Sequence, residues 1–172
     1  MNLAHTRRQL LLRRQKGFTI VELIVVIVIL GILAVLVYTS YSKLQNDANE
    51  ASVRTDLRNI AKQVELYRAD LGVYPSTAQM NAMRLRVNKK AYGVNPTGAT
   101  GFYCVNSDGS AYAVVTRVRS QLLLVYNSYT NTSNTYTGST TAPQLCTDAG
   151  VTTTTYLAFT NNGVWNDWVA TQ

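Results

Sequence analysis

Lys16-Gly17-Phe18-Thr19-Ile20-Val21-Glu22-Leu23 opens an apolar run that continues to about Tyr38. Arg7, Arg8, Arg13, Arg14 and Lys16 precede it, with no acid among them. From Phe18 the chain stays apolar for about 20 residues, the length a helix needs to cross the hydrocarbon layer of a bilayer. The cations hold the N-terminal end in the cytoplasm and place the rest of the chain outside. Gly17 has no Cβ, so a protease can approach its backbone closely and the chain can bend there. One carboxylate, Glu22, lies inside the run. A charge at the centre of a membrane costs on the order of 2.5–3.5 kcal/mol on insertion scales, so an intramembrane acid raises the question of its partner.

Two plain readings compete. An ordinary secretory signal has an apolar core of about 7–15 residues followed by a small-residue cleavage site. This run is longer, carries an acid near its start and feeds straight into a helical pattern without an Ala-x-Ala site. A simple single-pass anchor fits the length but leaves Glu22 unexplained.

The words GFTIVELIVVIVILGILA, residues 17–34, resemble the class III signal of type IV pilins and pseudopilins, the subunits of pili and pilus-like secretion machines. The resemblance rests on Gly17 before the cleaved bond, Phe18 as the new first residue, Glu22 four residues on, and the long apolar helix. It implies that a prepilin peptidase cuts between Gly17 and Phe18 and methylates the new Phe18 amine. It also implies that Glu22 meets the positive Phe18 amine of a neighbouring subunit during assembly, a pairing that would offset the cost of a buried carboxylate. Many pilins carry a glycine and then a proline further along; here Gly31 is present, but Thr39 stands where the proline would fall.

Beyond the apolar run, Val53, Leu57, Ile60, Val64, Tyr67 and Leu71 recur at alternating spacings of four and three. That spacing draws one apolar stripe on a helix. Arg54, Arg58, Lys62, Glu65 and Arg68 fall on its other faces. One helix from Phe18 to Leu71 is predicted, on the order of 80 Å long at 1.5 Å per residue. Its first half is apolar all round and has to lie in lipid or against copies of itself. Gly31, Ala34, Ala48 and Ala51 would permit close helix approach, although each is equally ordinary filler. Gly72 and Pro75 end the helix. The segment Tyr67-Arg68-Ala69-Asp70-Leu71-Gly72-Val73-Tyr74-Pro75 resembles the Y-x-x-D-x-G-x-Y-P helix exit of pilins and pseudopilins, with Tyr74 packing back on the helix.

The 172 residues suffice for one modest domain. The formal net charge of +7 suggests nucleic acid, but five of those charges precede Phe18, and loss of the leader leaves +2 on the side chains. The basic balance is therefore mostly a topology signal. Cys104 and Cys146 both follow the apolar run. In an exported domain an even count favours one disulfide over two reduced core thiols.

Residues 76–101 read as a connector, with a short helix around Met80 and Met83. Arg84, Arg86, Lys89 and Lys90, followed by Tyr92, form a basic cluster. Such a cluster can hold single-stranded nucleic acid through phosphates and stacking, or be a solvated loop face. Residues 102–105 and 111–116 read as strands around a turn at Ser107-Asp108-Gly109-Ser110, and 121–126 as a third apolar run. Residues 127–142, rich in Asn, Ser, Thr, Tyr and Gly, read as an exposed loop, with Asn131-Thr132-Ser133 fitting the glycosylation triplet. Residues 153–159 and 164–169 form a last hairpin around Asn161-Asn162-Gly163, with Trp165 and Trp168 as packing residues.

No catalytic constellation emerges, and the sequence predicts neither enzyme, cofactor nor metal site. The lone histidine, His5, lies in the leader. Asp108, Asp148 and Asp167 are isolated acids. Some major pseudopilins bind calcium in a C-terminal loop, where Asp148 or Asp167 would be the ligand here, but one or two acids fall short of the six to eight oxygens calcium takes unless backbone carbonyls contribute.

The expected fold is α+β, pilin-like: a long N-terminal helix, apolar then amphipathic, packed on a small antiparallel sheet. The expected division is a leader at 1–17, a helix at 18–71 with 18–38 in the membrane or assembly, and a β domain at 72–172. The resemblance implies a homo-oligomeric type IV pilus subunit serving adhesion, twitching motility or DNA uptake. Its partners would be the peptidase, the pilus assembly platform and minor pilins. It would rest in the inner membrane before export into an extracellular pilus, with nucleic acid reached only through uptake. A pseudopilin of a type II secretion or competence system shares the same signal. A monomeric membrane-anchored binding protein is the alternative of another class.

Overall fold

The computed structural model describes residues 17–138, 141–152 and 155–171. The leader residues 1–16 and the strand start at Thr153 and Thr154 lie outside them. By its internal contacts the chain divides into two units, residues 1–41 and 42–172. Helix α1, Ile20–Leu71, contributes to both.

In the first unit the helix runs unbroken past Gly31 and Thr39. β-branched residues disfavour helices in water, yet here they fill one. Where every backbone group must be satisfied without water, the helix is the structure that does so. Thr39 Oγ1 and Ser40 Oγ both donate to the Leu36 carbonyl, at 3.1 and 3.0 Å. These back-bonds stand where the resemblance would place a proline, and the helix is continuous there.

In the second unit the predicted stripe is the buried face. Val53, Leu57, Ile60 and Val64 are inaccessible. The burial fades at the C-terminal end: Tyr67 is half-buried and Leu71 exposed. Gly72 takes a φ of 79° and its N–H donates to the Arg68 carbonyl at 2.7 Å, ending the helix.

A five-stranded antiparallel sheet supplies the other layer. Its strands are β2 (Gly101–Val105), β3 (Tyr112–Arg117), β4 (Leu123–Asn127), β5 (Ser133–Tyr136) and β6 (Tyr156–Ala158), in the order β5-β4-β3-β2-β6. Alternation along each strand sends side chains to opposite faces. Tyr103, Val105, Tyr112 and Val114 join Leu57, Ile60 and Val64 in one core. Phe102, Cys104, Ala113 and Val115 form a second core with Leu145, Cys146 and Val151. The sheet is thus apolar on both faces. The second face is covered by a short helix, α3 (Ala142–Asp148), joined to it by the Cys104–Cys146 disulfide with Cα atoms 5.7 Å apart.

The remaining elements are α2 (Thr77–Met83), capped by Ser76 and Gln79; β1 (Leu85–Val87); a 3-10 turn at Lys89–Ala91; a small hairpin β7–β8 (Thr160–Asn161 and Val164–Trp165); and β9 (Val169–Thr171). Strand β1 pairs with β9 in parallel, Leu85 opposite Val169.

Two expectations change, and a helix forms at 142–148, where none was expected. The polar stretch 127–142 is not all loop: Ser133–Tyr136 forms the edge strand β5, whose backbone pairs with β4 despite its polar side chains. Residues 142–148 form a helix because Pro143 at its start and Leu145 and Cys146 on one side suit a short capping element. The last strands do not form one hairpin. Residues 156–158 pair with β2, and only 160–161 and 164–165 close around Asn162 and Gly163, at φ 45° and 79°.

Candidate functional site: the N-terminal segment and its apolar helix

Thr19, directly before the helix, is the residue that organises the segment. Its backbone N–H and its hydroxyl donate to Glu22 Oε2 at 2.8 and 2.9 Å, and its hydroxyl oxygen accepts from the Glu22 N–H at 3.2 Å. This is a reciprocal capping box, with Thr19 as N-cap and Glu22 three positions into the helix. The acid also lies at the positive end of the helix dipole. Glu22 therefore has a local role before any neighbour arrives, and its presence does not by itself demand an external partner. The Thr19-x-x-Glu22 spacing was legible as a helix start, and the sequence reading passed over it.

Gly17 has nothing within 4 Å of where a Cβ would stand, and Phe18 is 91% exposed. Both residues flanking the Gly17–Phe18 bond are exposed. Along the first unit, every large apolar side chain from Ile20 to Val37 is between 49% and 79% exposed. Among the described residues α1 is the one helix long and apolar enough to cross a membrane. Gly31, Ala34, Ala48 and Ala51 are all exposed and belong to no core among the described residues.

Residues 12–38 match the family model of the prokaryotic N-terminal methylation motif. The chain carries the class III signal peptide of type IV pilins and pseudopilins. The motif implies processing by prepilin peptidase and association with a membrane, and it is in general a mark of structural rather than enzymatic proteins. No curated protein and no solved structure matches the chain.

The helix exit noted in the sequence holds the second unit together. Tyr74 is buried, accepts from Arg68 Nη1 at 2.6 Å and donates to Glu65 Oε1 at 3.0 Å. Its ring meets Tyr112 edge to face at 4.6 Å. The Pro75 carbonyl accepts from the Tyr103 hydroxyl at 2.7 Å.

A buried carboxylate that the stripe did not reveal lies on the same helix. Asp56 is 2% exposed, and its Oδ2 accepts from the Asn88 N–H at 2.9 Å and the Tyr92 hydroxyl at 3.1 Å. Desolvation raises its pKa above the ordinary carboxylate range, the two hydrogen bonds opposing the shift. The bonds tie the turn after β1 to the helix.

The basic cluster is rearranged relative to its sequence reading. Tyr92, weighed there as a stacking ring against a plain solvated loop face, is 3% exposed with its hydroxyl on Asp56, so it presents no ring to a ligand. Of the two acids weighed for calcium, Asp148 has its carboxylate accepting from Tyr136 and Gln144, while Asp108, in the β2–β3 turn, accepts from the Ser110 N–H at 3.0 Å. Among the described residues no group of three or more His, Cys, Asp or Glu side chains is placed to hold a metal ion. Asn131 is exposed, at φ 51°.

Proposed function

We propose that the chain is a structural subunit of a type IV pilus, cleaved between Gly17 and Phe18, methylated at Phe18, and polymerised through residues 18–38. The observation that carries this reading is the unbroken exposure of the apolar helix from Ile20 to Val37 within the stretch that matches the methylation motif. A monomer can satisfy that surface only in lipid. Assembly exchanges lipid for the same helix of neighbouring copies, so the net apolar gain is small. Packing and polar pairing then decide register.

In this reading Glu22 has two successive partners. Thr19 holds its carboxylate in the stored subunit. In the polymer the methylated Phe18 amine of the next copy adds a positive charge to an acid already positioned by the capping box. The assembly platform and minor pilins would deliver subunits to that position, and the sheet domain would face outward.

The test is the composition of sheared surface filaments. This chain should form the bulk of the material, beginning at methylated Phe18. Surface fractions without it, beside uncut chain in the membrane, would refute the reading.

A further inference from the structure

All six cations that follow the helix come from two short segments, Arg84–Lys90 and Arg117–Arg119. The fold places the two side by side. The Gly93 N–H donates to the Arg117 carbonyl at 3.0 Å, and the Arg119 N–H to the Ala91 carbonyl at 2.9 Å. Arg119 Nη1 donates to the Lys90 carbonyl at 3.3 Å. Lys89, Lys90 and Arg119 line one open cavity of about 450 Å³, and no acid is among its lining residues. The ion pair among the described residues, Arg54–Glu50, involves none of the six cations. Gathering like charges without a counter-charge works against folding, which points to an answering charge outside the domain.

The place of the cations within the second unit indicates where that charge lies. Asn88, directly before Lys89, donates its side-chain amide to Ser52 Oγ at 3.1 Å and its N–H to Asp56 Oδ2 at 2.9 Å. Val53 is the first buried residue of α1. At the opposite end of β2 and β3 lies the turn at 106–110, whose Gly109 carbonyl accepts from the Tyr74 N–H at 3.0 Å, beyond the helix exit. Lys89, Lys90, Arg117 and Arg119 thus gather at the end of the domain where the chain enters it. That end is tethered closely to the apolar run. Tyr38 and Tyr41, both exposed, and then Lys43 close the run in the manner of residues that sit at headgroup level. Ser52 follows Tyr41 by eleven positions, all within α1, which is about 16 Å of helix.

We propose that this basic end docks on the headgroup layer of the membrane that stores the subunit, with anionic phospholipid as its ligand. The proposal rests on storage of the chain in a membrane and not on its polymerisation. The site offers no ring for stacking: Tyr92 is buried, and Trp165 has the Lys89 ammonium over its ring at 5.1 Å and the Tyr92 ring edge-on at 5.6 Å. Charge is what remains. A fluid layer of headgroup phosphates answers separate cations without requiring a fixed spacing between them. The short tether makes the encounter intramolecular and so raises the effective concentration of headgroups at the site. Each cation near an anionic surface shifts the docking equilibrium roughly fivefold, so Lys89, Lys90 and Arg119 together shift it on the order of 100-fold. Docking holds the domain against lipid before assembly, and extraction of the subunit has to break it.

The experiment uses the mature full chain reconstituted into phosphatidylcholine vesicles, with or without phosphatidylglycerol, carrying a trace of dansyl-headgroup lipid. The two tryptophans, Trp165 beside Lys89 and Trp168, serve as donors for energy transfer to that surface. Transfer should be higher on the anionic vesicles, and 1 M salt, with a Debye length of about 3 Å, should erase the difference. Lys90→Glu with Arg119→Glu, both exposed side chains, should abolish the difference with an unchanged melting temperature, while Lys90→Arg with Arg119→Lys should keep it. Equal transfer on neutral and anionic vesicles, a difference that survives charge reversal, or its loss in the charge-keeping variant would each overturn the proposal. So would capture of soluble heparin or duplex DNA with no response to phosphatidylglycerol. Flotation with the vesicles is read separately. A chain that fails to float refutes membrane storage and the docking with it, whereas a floating chain with equal transfer refutes the docking alone.

Discussion

The two halves of α1 are one continuous helix with opposite fates. From Val53 to Val64 the apolar residues keep a stripe and meet the sheet, so the chain itself completes their burial. From Ile20 to Val37 the apolar residues cover every side, and none of them is buried among the described residues. A stripe is a request for a domain. A fully apolar cylinder is a request for lipid or for other cylinders. The difference teaches that the first half has its partner outside the molecule, and this half lies within the stretch that matches the methylation motif.

The largest expected effect attacks the processing step that separates the halves from the leader. Gly17→Trp puts a bulky side chain at the cleaved bond. All of the protein should keep its leader mass, and a normal mature mass would remove the assigned site. Next comes Glu22, where the capping role and the pairing role can be split. Glu22→Gln keeps an acceptor for Thr19 but loses the charge, whereas Glu22→Ala loses both. If neighbour pairing decides assembly, both variants should stay in the membrane and both should lose filaments by an order of magnitude or more. Normal piliation in Glu22→Gln alone would reduce Glu22 to a helix cap.

A matched pair of truncations sharpens the contrast further. Leu57→Ala opens a cavity in the domain core and should cost about 2–5 kcal/mol in denaturant unfolding. Leu30→Ala, exposed in the subunit, should change domain stability by less than about 0.5 kcal/mol while reducing filament yield. Equal effects on unfolding would erase the distinction between the halves.

The smallest effect concerns Asp56. Its folded pKa is raised, so between the ordinary aspartate value and the raised one the folded state binds more protons than the unfolded state. Stability should therefore fall as pH rises through that window. Asp56→Asn should abolish that slope with a change of about 1 kcal/mol or less, because an amide oxygen still accepts from Asn88 and Tyr92. Asp56→Leu leaves both donors unsatisfied and should cost about 1–3 kcal/mol for each.

Much of this was legible before any coordinates. The apolar run, the stripe, the glycine stop at Gly72 and strands β2, β3 and β4 follow from periods of 3.6 and 2 and from turn chemistry. What stayed hidden depends on partners distant in sequence. Asp56 interrupts no apolar position of the stripe, and only the return of Asn88 and Tyr92, over 30 residues later, shows that it is buried. Strand β5 has no apolar alternation because its pairing with β4 is backbone to backbone at a sheet edge. The basic cluster was visible as four cations near Tyr92, but Arg117 and Arg119 reach it only through the pairing of two loops. Thr19 is the exception, since its capping spacing stood in the sequence beside Glu22.

The central claim is that residues 18–38 end up against the same residues of other copies. A photo-cross-linking side chain placed at Leu30 and activated in sheared surface material tests it directly. The account predicts adducts to peptides from the apolar helix of a second copy of this chain. Adducts confined to lipid, or to a different protein, would contradict it.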